Sequence, residues 1–188
     1  MRIVGGFLSG KKIDFLKSTT TRPLRDFVKE SAFNIIKHSN LINVSLENAS
    51  VLDLYSGIGS FGIECISRGA KKISFVENDN KALMILKKNV KQLKIEKKSK
   101  IFEKKTSQFL SQLNKSADKY QIIFLDPPFS ENFFINDLKL IKEFNICEEK
   151  HLIVIHREKK SKDDLSKVAN IFITKEYGRS KLLFGSLA

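Results

Sequence analysis

Asp126, Pro127, Pro128 and Phe129 form the segment whose residue types point most directly to chemistry. The two prolines fix two φ angles and remove two backbone donors, so we expect a rigid turn whose carbonyl groups still need partners. A carboxylate and a carbonyl oxygen can accept the hydrogen bonds of a planar NH2 group, and an aromatic ring can stack on the base that carries it. For these four residues alone, an ordinary turn after a strand stays an alternative, because Pro and Asp are common there.

A second candidate site is the glycine-rich stretch that follows Asp53. Gly57, Gly59 and Gly62 satisfy the G-x-G-x-x-G pattern, in which glycines let the backbone approach a ligand at the start of a helix. Glu77 ends the next predicted strand, where a carboxylate can accept hydrogen bonds from ribose hydroxyls. The negative charge of Asp53 disfavours a pyrophosphate and suits an ammonium or sulfonium group. S-adenosylmethionine explains both carboxylates, while a tight strand-to-helix turn without a ligand stays an alternative.

The composition limits the class of protein. With 188 residues, 41% of them hydrophobic, the chain can form one domain with a full core. It has no run of eighteen apolar residues and no apolar signal core at its start, so we expect neither a membrane span nor secretion. Cys65 and Cys147 match no metal or redox spacing, which predicts reduced cysteines, no metal site and a cytoplasmic protein. Structural or surface roles are expected for His38, His151 and His156.

The net charge of +13 favours a polyanionic partner. RNA or DNA is the usual partner of such a basic chain. Lysine greatly outnumbers arginine, and Ile and Asn are frequent, which also fits a proteome rich in lysine. The charge is therefore compatible with a nucleic-acid substrate without proving one.

Alternating strand and helix patterns follow residue 50. They predict strands at 51–55, 72–77, 100–103, 120–125, 151–156, 171–176 and 181–184. One helix is predicted before this region, at 24–37. The predicted helices within it are 60–68, 80–93, 107–113, 133–144 and 163–168. This order indicates an α/β fold with a doubly wound, mostly parallel seven-stranded sheet whose last strand is antiparallel, because a short connection joins the final two strands. Residues 1–46 are expected to form a basic arm and a helix packed on a core domain, 47–188.

Several segments together resemble a known family. Residues 51–62, 75–77 and 123–129 resemble class I S-adenosylmethionine-dependent methyltransferases that methylate amino groups. The segments 2–6, 10–12, 21–23, 26–30, 33–34 and 177–178 narrow the resemblance to the RsmD family. The resemblance implies a Rossmann-like fold, S-adenosyl-L-methionine as cofactor, and methylation of the exocyclic N2 amine of a guanine in bacterial small-subunit (16S) ribosomal RNA. We expect a monomer that acts on this RNA or on a small-subunit assembly particle.

The residues that match the family's motifs are given the following roles. The catalytic residues are predicted to be Asp126, Pro127, Pro128 and Phe129. The cofactor-binding residues are predicted to be Asp53, Tyr55, Ser56, Gly57, Gly59, Glu77, Asn78 and Thr106. Candidate contacts to RNA phosphates, chosen because they are basic and near the predicted base pocket, are Arg2, Lys11, Lys12, Arg22, Arg25 and Lys29.

The sequence departs from the family pattern at two places. Phe27 stands where members often carry an arginine that would contact RNA. Lys104, Lys105 and Thr106 stand where members usually have an Asp or Asn that contacts adenine. We therefore expect Thr106 or backbone amides at this place to replace that contact.

Three other functions stay open. A DNA adenine-N6 methyltransferase shares the Asp-Pro-Pro-Phe element, but 188 residues leave no room for a separate target-recognition region. A dinucleotide-dependent oxidoreductase fits the glycines but neither Asp53 nor the proline turn. The third is a non-enzymatic RNA-binding protein that kept the fold.

Overall fold

The computed structural model describes residues 1–15, 26–113, 118–129 and 132–188. The strands are β1 (Ser50–Leu54), β2 (Lys72–Glu77), β3 (Ser99–Glu103), β4 (Tyr120–Leu125), β5 (Cys147–Glu158), β6 (Ala169–Tyr177) and β7 (Ser180–Leu187). The helices are α1 (Asp26–His38), α2 (Ser60–Ser67), α3 (Asn80–Gln92), α4 (Thr106–Ser111) and α5 (Phe134–Glu143), with a 3-10 turn at Glu96–Lys98.

The strands form a single sheet in the order β3-β2-β1-β4-β5-β7-β6. The first five strands run parallel to one another, and β7 is antiparallel to both β5 and β6. After β3 the chain returns to the other side of β1 and continues outward from β4. Such a reversal opens a crevice at the carboxyl ends of the two central strands. The predicted doubly wound, mostly parallel sheet is confirmed, with β7 as the reversed strand.

Alternate residues of the central strands face two different apolar layers. Val51 and Phe124 belong to a layer shared with α1, α2 and α3, and Leu52 and Ile123 belong to one shared with α4 and α5. Phe61 of α2 stacks on Phe124 with ring centroids 3.9 Å apart. Strands buried on both faces are held firmly, so the turns at their ends have fixed relative positions.

The N-terminal arm packs on the same layer as α1, α2 and α3. Ile3, Leu8 and Ile13 are buried there, and an antiparallel bridge pairs Arg2 with Lys12. These contacts bring residues 1–15 onto the body of the fold. The division of the chain between residues 46 and 47 stays a prediction.

The sequence predicted β2 and β4 at their observed bounds, whereas β5 is longer than predicted. The predicted helix at 163–168 is wrong, because residues 163–165 form no regular element and residues 166–168 form a turn. Asp164 accepts hydrogen bonds from the backbone and hydroxyl of Ser166, and Asp163 pairs with Arg157. Such side-chain bonds compete with a helix for the backbone. The predicted start of the first helix, at residue 24, lies outside the described residues.

Within the described ranges, no helix is both long enough and apolar enough to cross a lipid bilayer.

Candidate active site

The turns after β1, β2 and β4 meet at one edge of the sheet. Leu54 pairs with Val76 on one side and with Leu125 on the other. The N–H of Asp126 lies 3.4 Å from the carbonyl oxygen of Leu54, and the N–H of Ser56 donates to the carbonyl of Val76 at 3.0 Å. The structure therefore brings together the two segments that the sequence singled out, which we call the glycine turn (55–59) and the proline turn (126–129).

The glycine turn has a tight left-handed backbone. Tyr55, Gly57 and Gly59 have φ angles of 60°, 55° and 82°. Left-handed geometry is unfavourable for a tyrosine and is found mostly where the surrounding structure enforces it, often at ligand sites. The hydroxyl of Ser56 lies 2.6 Å from the carbonyl oxygen of Asp53 and accepts from the N–H of Val76 at 2.9 Å. The Ser56 side chain thus fastens the turn to β1 and β2.

Glu77 is fixed at the end of β2 by backbone donors. One carboxylate oxygen accepts from the N–H of Gly57 at 2.7 Å, and the other accepts from the N–H groups of Asn78 and Asp79, each at 2.7 Å. Carboxylate oxygens have lone pairs for further bonds. Glu77 is therefore held beside the glycine turn in a way that suits ribose hydroxyls. Asn78, the next predicted cofactor contact, is exposed beside it.

Asp53 is a buried carboxyl group near other negative charges. It is 1% exposed, and its Oδ2 atom accepts from the N–H of Gly62 at 3.0 Å. Burial raises the pKa of Asp53 well above its usual value, the Gly62 bond opposes this, and the charges of Asp126 and Glu77 raise it further. A cationic ligand group at this edge would be stabilised by these carboxylates.

Gly57, Gly59 and Gly62 differ in the space around them, and of the three only Gly57 borders an open region where a ligand could approach the backbone. A Cβ atom at Gly57 would meet no atom within 4 Å, so this part of the turn borders open space. A Cβ atom at Gly62 would lie 2.4 Å from the Phe75 ring and 2.9 Å from the Asp53 carboxylate. Glycine at 62 therefore lets α2 begin directly against β1 and β2.

Thr106 is the first residue of α4, close to the carboxyl end of β3. Its side chain is buried, and the Lys105 side chain before it makes no capping hydrogen bond. The Lys105 side chain therefore leaves the backbone amides at this helix end without a cap. An adenine contact by Thr106 or these amides stays a prediction.

The proline turn carries Asp126 at its first position. The Asp126 side chain is 28% exposed, and its Oδ1 atom lies 2.8 Å from Nδ1 of His156. Because a carboxylate can only accept, His156 donates in this bond. The Phe129 ring is 40% exposed and meets the His156 ring edge-on, with centroids 5.4 Å apart. An exposed aromatic ring thus lies close to the carboxylate that could hold an amine.

Arg157 holds the second half of the proline turn, Pro128 and Phe129, by hydrogen bonds to its carbonyl groups. Its guanidinium donates to the carbonyl oxygens of Pro128 and Phe129 at 3.0 and 3.3 Å, and forms two bonds to Asp163 at 2.9 and 3.1 Å. Arg157 is 1% exposed and lies over the Phe134 ring. The carbonyl groups of Pro128 and Phe129, which the prolines leave without local partners, therefore bond to the buried guanidinium. The predicted role of the Pro127 carbonyl as an amine acceptor stays a prediction.

Tyr55 links the glycine turn to the helix that follows the proline turn. Its hydroxyl donates to Oδ2 of Asp137, a buried residue in the first turn of α5. Burial raises the pKa of Asp137, and the Tyr55 bond opposes that rise. The contact couples the position of Tyr55 to α5, the helix that follows the proline turn in sequence.

The predicted RNA contacts fall into three groups. Arg2, Lys11 and Lys12 are exposed on the N-terminal arm. Arg22 and Arg25 lie outside the described residues. Lys29, the last of the set, is fully buried.

A phosphate contact by Lys29 is wrong for this structure. Its Nζ atom donates to the carbonyl of Arg2 at 3.0 Å and lies 3.8 Å from the Glu64 carboxylate. Glu64 also accepts from the backbone N–H groups of Val4 and Gly5 at 2.9 and 2.7 Å. A buried lysine needs such a partner, and here the pair fastens the N-terminal arm to α1 and α2.

Three residues of the site were missed by sequence reasoning. His156 was expected to have a structural or surface role, and no role was predicted for Arg157 or Asp137. A signal was present for two of them, because His156 and Arg157 follow an apolar run that forms a strand in the same sheet. Only the strand order, with β5 next to β4, brings them to the proline turn.

The comparisons with known proteins agree with this geometry. A family model described as Conserved hypothetical protein 95 matches residues 1–186. A Haemophilus influenzae protein named Ribosomal RNA small subunit methyltransferase D is 33% identical over 160 residues, which cover 85% of this chain and 79% of that protein. A Buchnera aphidicola protein of the same name is 30% identical over 187 residues, covering 100% and 90% of the two chains. A crystal structure of a candidate methylase from Haemophilus influenzae has a TM-score of 0.79 at 28% identity, covering 100% and 98%.

Proposed function

The chain belongs to the RsmD family (Conserved hypothetical protein 95), and on that premise we propose that it methylates the exocyclic N2 amine of a guanine in 16S ribosomal RNA. The methyl donor in this proposal is S-adenosyl-L-methionine. The observation that supports it most is the position of two carboxylates at one sheet edge: Asp53 beside the glycine turn and Asp126 in the proline turn, near enough for their charges to interact.

The glycine turn and the end of β2 would hold the cofactor. Glu77 would bind the ribose hydroxyls, Asp53 would stabilise positive charge, and the backbone at Gly57 and Gly59 would allow close approach. Asn78, Tyr55, Ser56 and Thr106 complete the proposed pocket. When bound, the cofactor would supply a methyl carbon activated by its sulfonium, since the carbon–sulfur bond can break with its electron pair passing to sulfur as the nitrogen–carbon bond forms.

The proline turn would hold the guanine amine. The lone pair of N2 is conjugated with the ring, and it must leave this conjugation to form the nitrogen–carbon bond. Asp126 and the carbonyl of Pro127 would accept the two N–H groups and stabilise the positive charge that develops on nitrogen. One amine proton then leaves to Asp126 or to water. Phe129 would stack on the base, which must be taken out of any helix to reach this position.

The exposed basic residues of the arm would contact RNA phosphates. Arg2, Lys11 and Lys12 present positive charge on the surface, and Arg22 and Arg25 remain in the proposal as contacts. The net charge of +13 supports an RNA substrate. We also propose that the protein acts as a monomer in the cytoplasm, on free 16S RNA or on an assembly particle.

The test is a methylation assay with nucleoside analysis. The protein is incubated with S-adenosylmethionine and either 16S ribosomal RNA, small-subunit particles or duplex DNA, and the nucleosides are identified by mass spectrometry. N2-methylguanosine in the RNA is expected. N6-methyladenine in the DNA would support the rival enzyme class, and no methylated base in any substrate would refute the proposal.

Asp126→Ala is the matched variant for this assay. We expect turnover to fall by about 10²- to 10³-fold, the usual cost of removing one group that stabilises charge in the transition state. Cofactor binding should survive, because the variant leaves the glycine turn intact. A thermal-shift measurement with S-adenosylmethionine, S-adenosylhomocysteine and NAD checks this, since a ligand raises the Tm of the state that it binds. A shift with NAD alone would indicate an oxidoreductase.

A further inference from the structure

We infer that His156 is a positioning residue for the proposed methyl transfer, which orients the Asp126 carboxylate toward the guanine amine. This inference rests on the proposed function and adds a residue to it. His156 is on β5, and Asp126 follows β4, two neighbouring parallel strands. Ile155 pairs with Leu125, so the next residue on each strand comes level at the sheet edge.

The contact between the two side chains is close and partly shielded from water. The Nδ1 atom of His156 lies 2.8 Å from Oδ1 of Asp126, and only 6% of His156 is exposed. A buried imidazole nitrogen needs a hydrogen-bond partner, and Asp126 supplies it. The bond therefore persists in the folded protein without a bound substrate.

This bond divides the two oxygens of Asp126 between two tasks. Oδ1 accepts from His156, which leaves Oδ2 for an N–H group of the substrate. The terminal torsion of an aspartate is broad, so an unsupported carboxylate samples many orientations. The bond to His156 narrows that range before the substrate arrives. Such pre-organisation matters because misplacing a group by a fraction of an ångström reduces catalysis.

His156 is itself held by its surroundings. Its neighbour in β7 is Leu182, and the Phe129 ring packs edge-on against the imidazole. The following residue, Arg157, holds the carbonyls of the proline turn. One strand thus supplies the residue that orients the carboxylate and the residue that fixes the turn. His156 takes no proton in this reaction, because the amine proton still leaves to Asp126 or to water.

Two substitutions separate a hydrogen-bond role from a packing role. His156→Leu fills much of the space of the imidazole with an apolar side chain but removes the donor. His156→Asn keeps an N–H donor close to the position of Nδ1, although it is smaller. His151→Leu is the control, because His151 is on the same strand and contacts Glu148 and Leu187 instead of the proline turn.

Kinetics with 16S ribosomal RNA test the inference first. We expect His156→Leu to lower kcat by about 10- to 100-fold, the range for a lost hydrogen bond to a charged group. The KM for RNA and the Kd for the cofactor should change little. His156→Asn should recover most of kcat, and His151→Leu should match the wild type. An unchanged kcat in His156→Leu, or an Asn variant as slow as the Leu variant, would overturn the inference.

A double-mutant cycle tests whether His156 acts through Asp126. In an Asp126→Ala background, His156→Leu should cause no further loss of kcat. An equal loss in both backgrounds would show that His156 acts by another route and would contradict the inference.

Nitrogen-15 NMR of the imidazole gives a readout that does not depend on activity. We expect a protonated Nδ1 in the wild type, with a hydrogen-bonded N–H resonance that moves in Asp126→Ala. An Nδ1 atom without a proton, or an N–H resonance that does not move in Asp126→Ala, would overturn the inference. If the wild type methylates no RNA while the NMR result holds, the proposed function fails and the His156–Asp126 bond stands alone. Methylated RNA with normal kcat in His156→Leu refutes the inference only.

Discussion

Arg157→Leu is expected to damage both the stability of the fold and the shape of the proline turn. The guanidinium is buried and forms two bonds to the Asp163 carboxylate, whose side chain is 4% exposed. It also donates to the carbonyls of Pro128 and Phe129. Leucine fills much of the space but leaves Asp163 without its cation and the two carbonyls without their donor.

The magnitude follows from the burial of the pair. Removing one partner of a buried ion pair costs about 3–5 kcal/mol, out of a total stability of about 5–15 kcal/mol for a folded domain. At about 2–4 °C per kcal/mol for a chain of this size, the Tm should fall by about 6–20 °C.

The pH dependence of stability should also become weaker at acid pH. Burial raises the pKa of Asp163, but bonds from Arg157 and Ser161 outweigh burial and leave it below the usual value. Its contribution is therefore complete above an unfolded pKa of about 3.9 and is lost as pH falls through the lower folded value. Without Arg157, two of the causes that lower the pKa of Asp163 are removed, so its folded pKa should rise and its loss of stability at acid pH should become smaller.

Chemical denaturation across pH 3–7 measures these effects, and a double variant separates them. Arg157→Leu with Asp163→Leu removes both charges, which in buried pairs is often neutral for stability. We expect the double variant to regain most of the lost stability while its methylation stays at least about 10-fold below the wild type, because the turn carbonyls are still unheld. A loss under about 1 kcal/mol in the single variant would refute the stability argument. Full activity in the double variant would refute the role of Arg157 in the turn.

Three further predictions concern residues beside the glycine turn and basic residues of the N-terminal segment. Asp53→Asn should raise the Tm of the ligand-free protein by a few degrees, because the raised pKa of Asp53 means that its ionisation at pH 7 opposes folding. The same variant should weaken cofactor binding, measured by calorimetry, by about 10-fold or more. Gly62→Ala should cost about 1–3 kcal/mol in denaturant unfolding, because its Cβ would press on the Phe75 ring. Lys12→Ala should lower the slope of log affinity for RNA against log salt by about 1 and leave the Tm unchanged. Lys29→Met should instead lower the Tm, because Lys29 is buried. The opposite pattern would contradict the surface role of Lys12 and the buried role of Lys29.

Much of the fold could be predicted because the central strands are buried on both faces. Apolar runs such as Tyr120–Leu125 then stand out from the helices between them. The ends of β5 could not be predicted in the same way, because Glu148, Glu149 and Lys150 break the apolar run within the strand. The segment 163–168 has a helix-like composition, and only the contacts of Asp163 and Asp164 show why it does not form a helix.

The candidate site divides into local and long-range parts. The glycine and proline turns are continuous in sequence, so their spacing alone indicates a site. His156 lies 30 residues from Asp126, and Asp137 lies 82 residues from Tyr55, so no spacing rule connects them. Lys29 shows the reverse case, because its local sequence, between Val28 and Glu30, gave no sign of the buried partner Glu64.

The central claim is that the two turns at the carboxyl edge of the sheet together transfer a methyl group to an RNA amine. Single-turnover transfer of a labelled methyl group to 16S ribosomal RNA, followed by nucleoside mass spectrometry, measures this most directly. The account predicts label at N2 of guanosine with the wild type and a rate at least about 100-fold lower with Asp126→Ala. Label on adenosine, or equal transfer by Asp126→Ala, would contradict it.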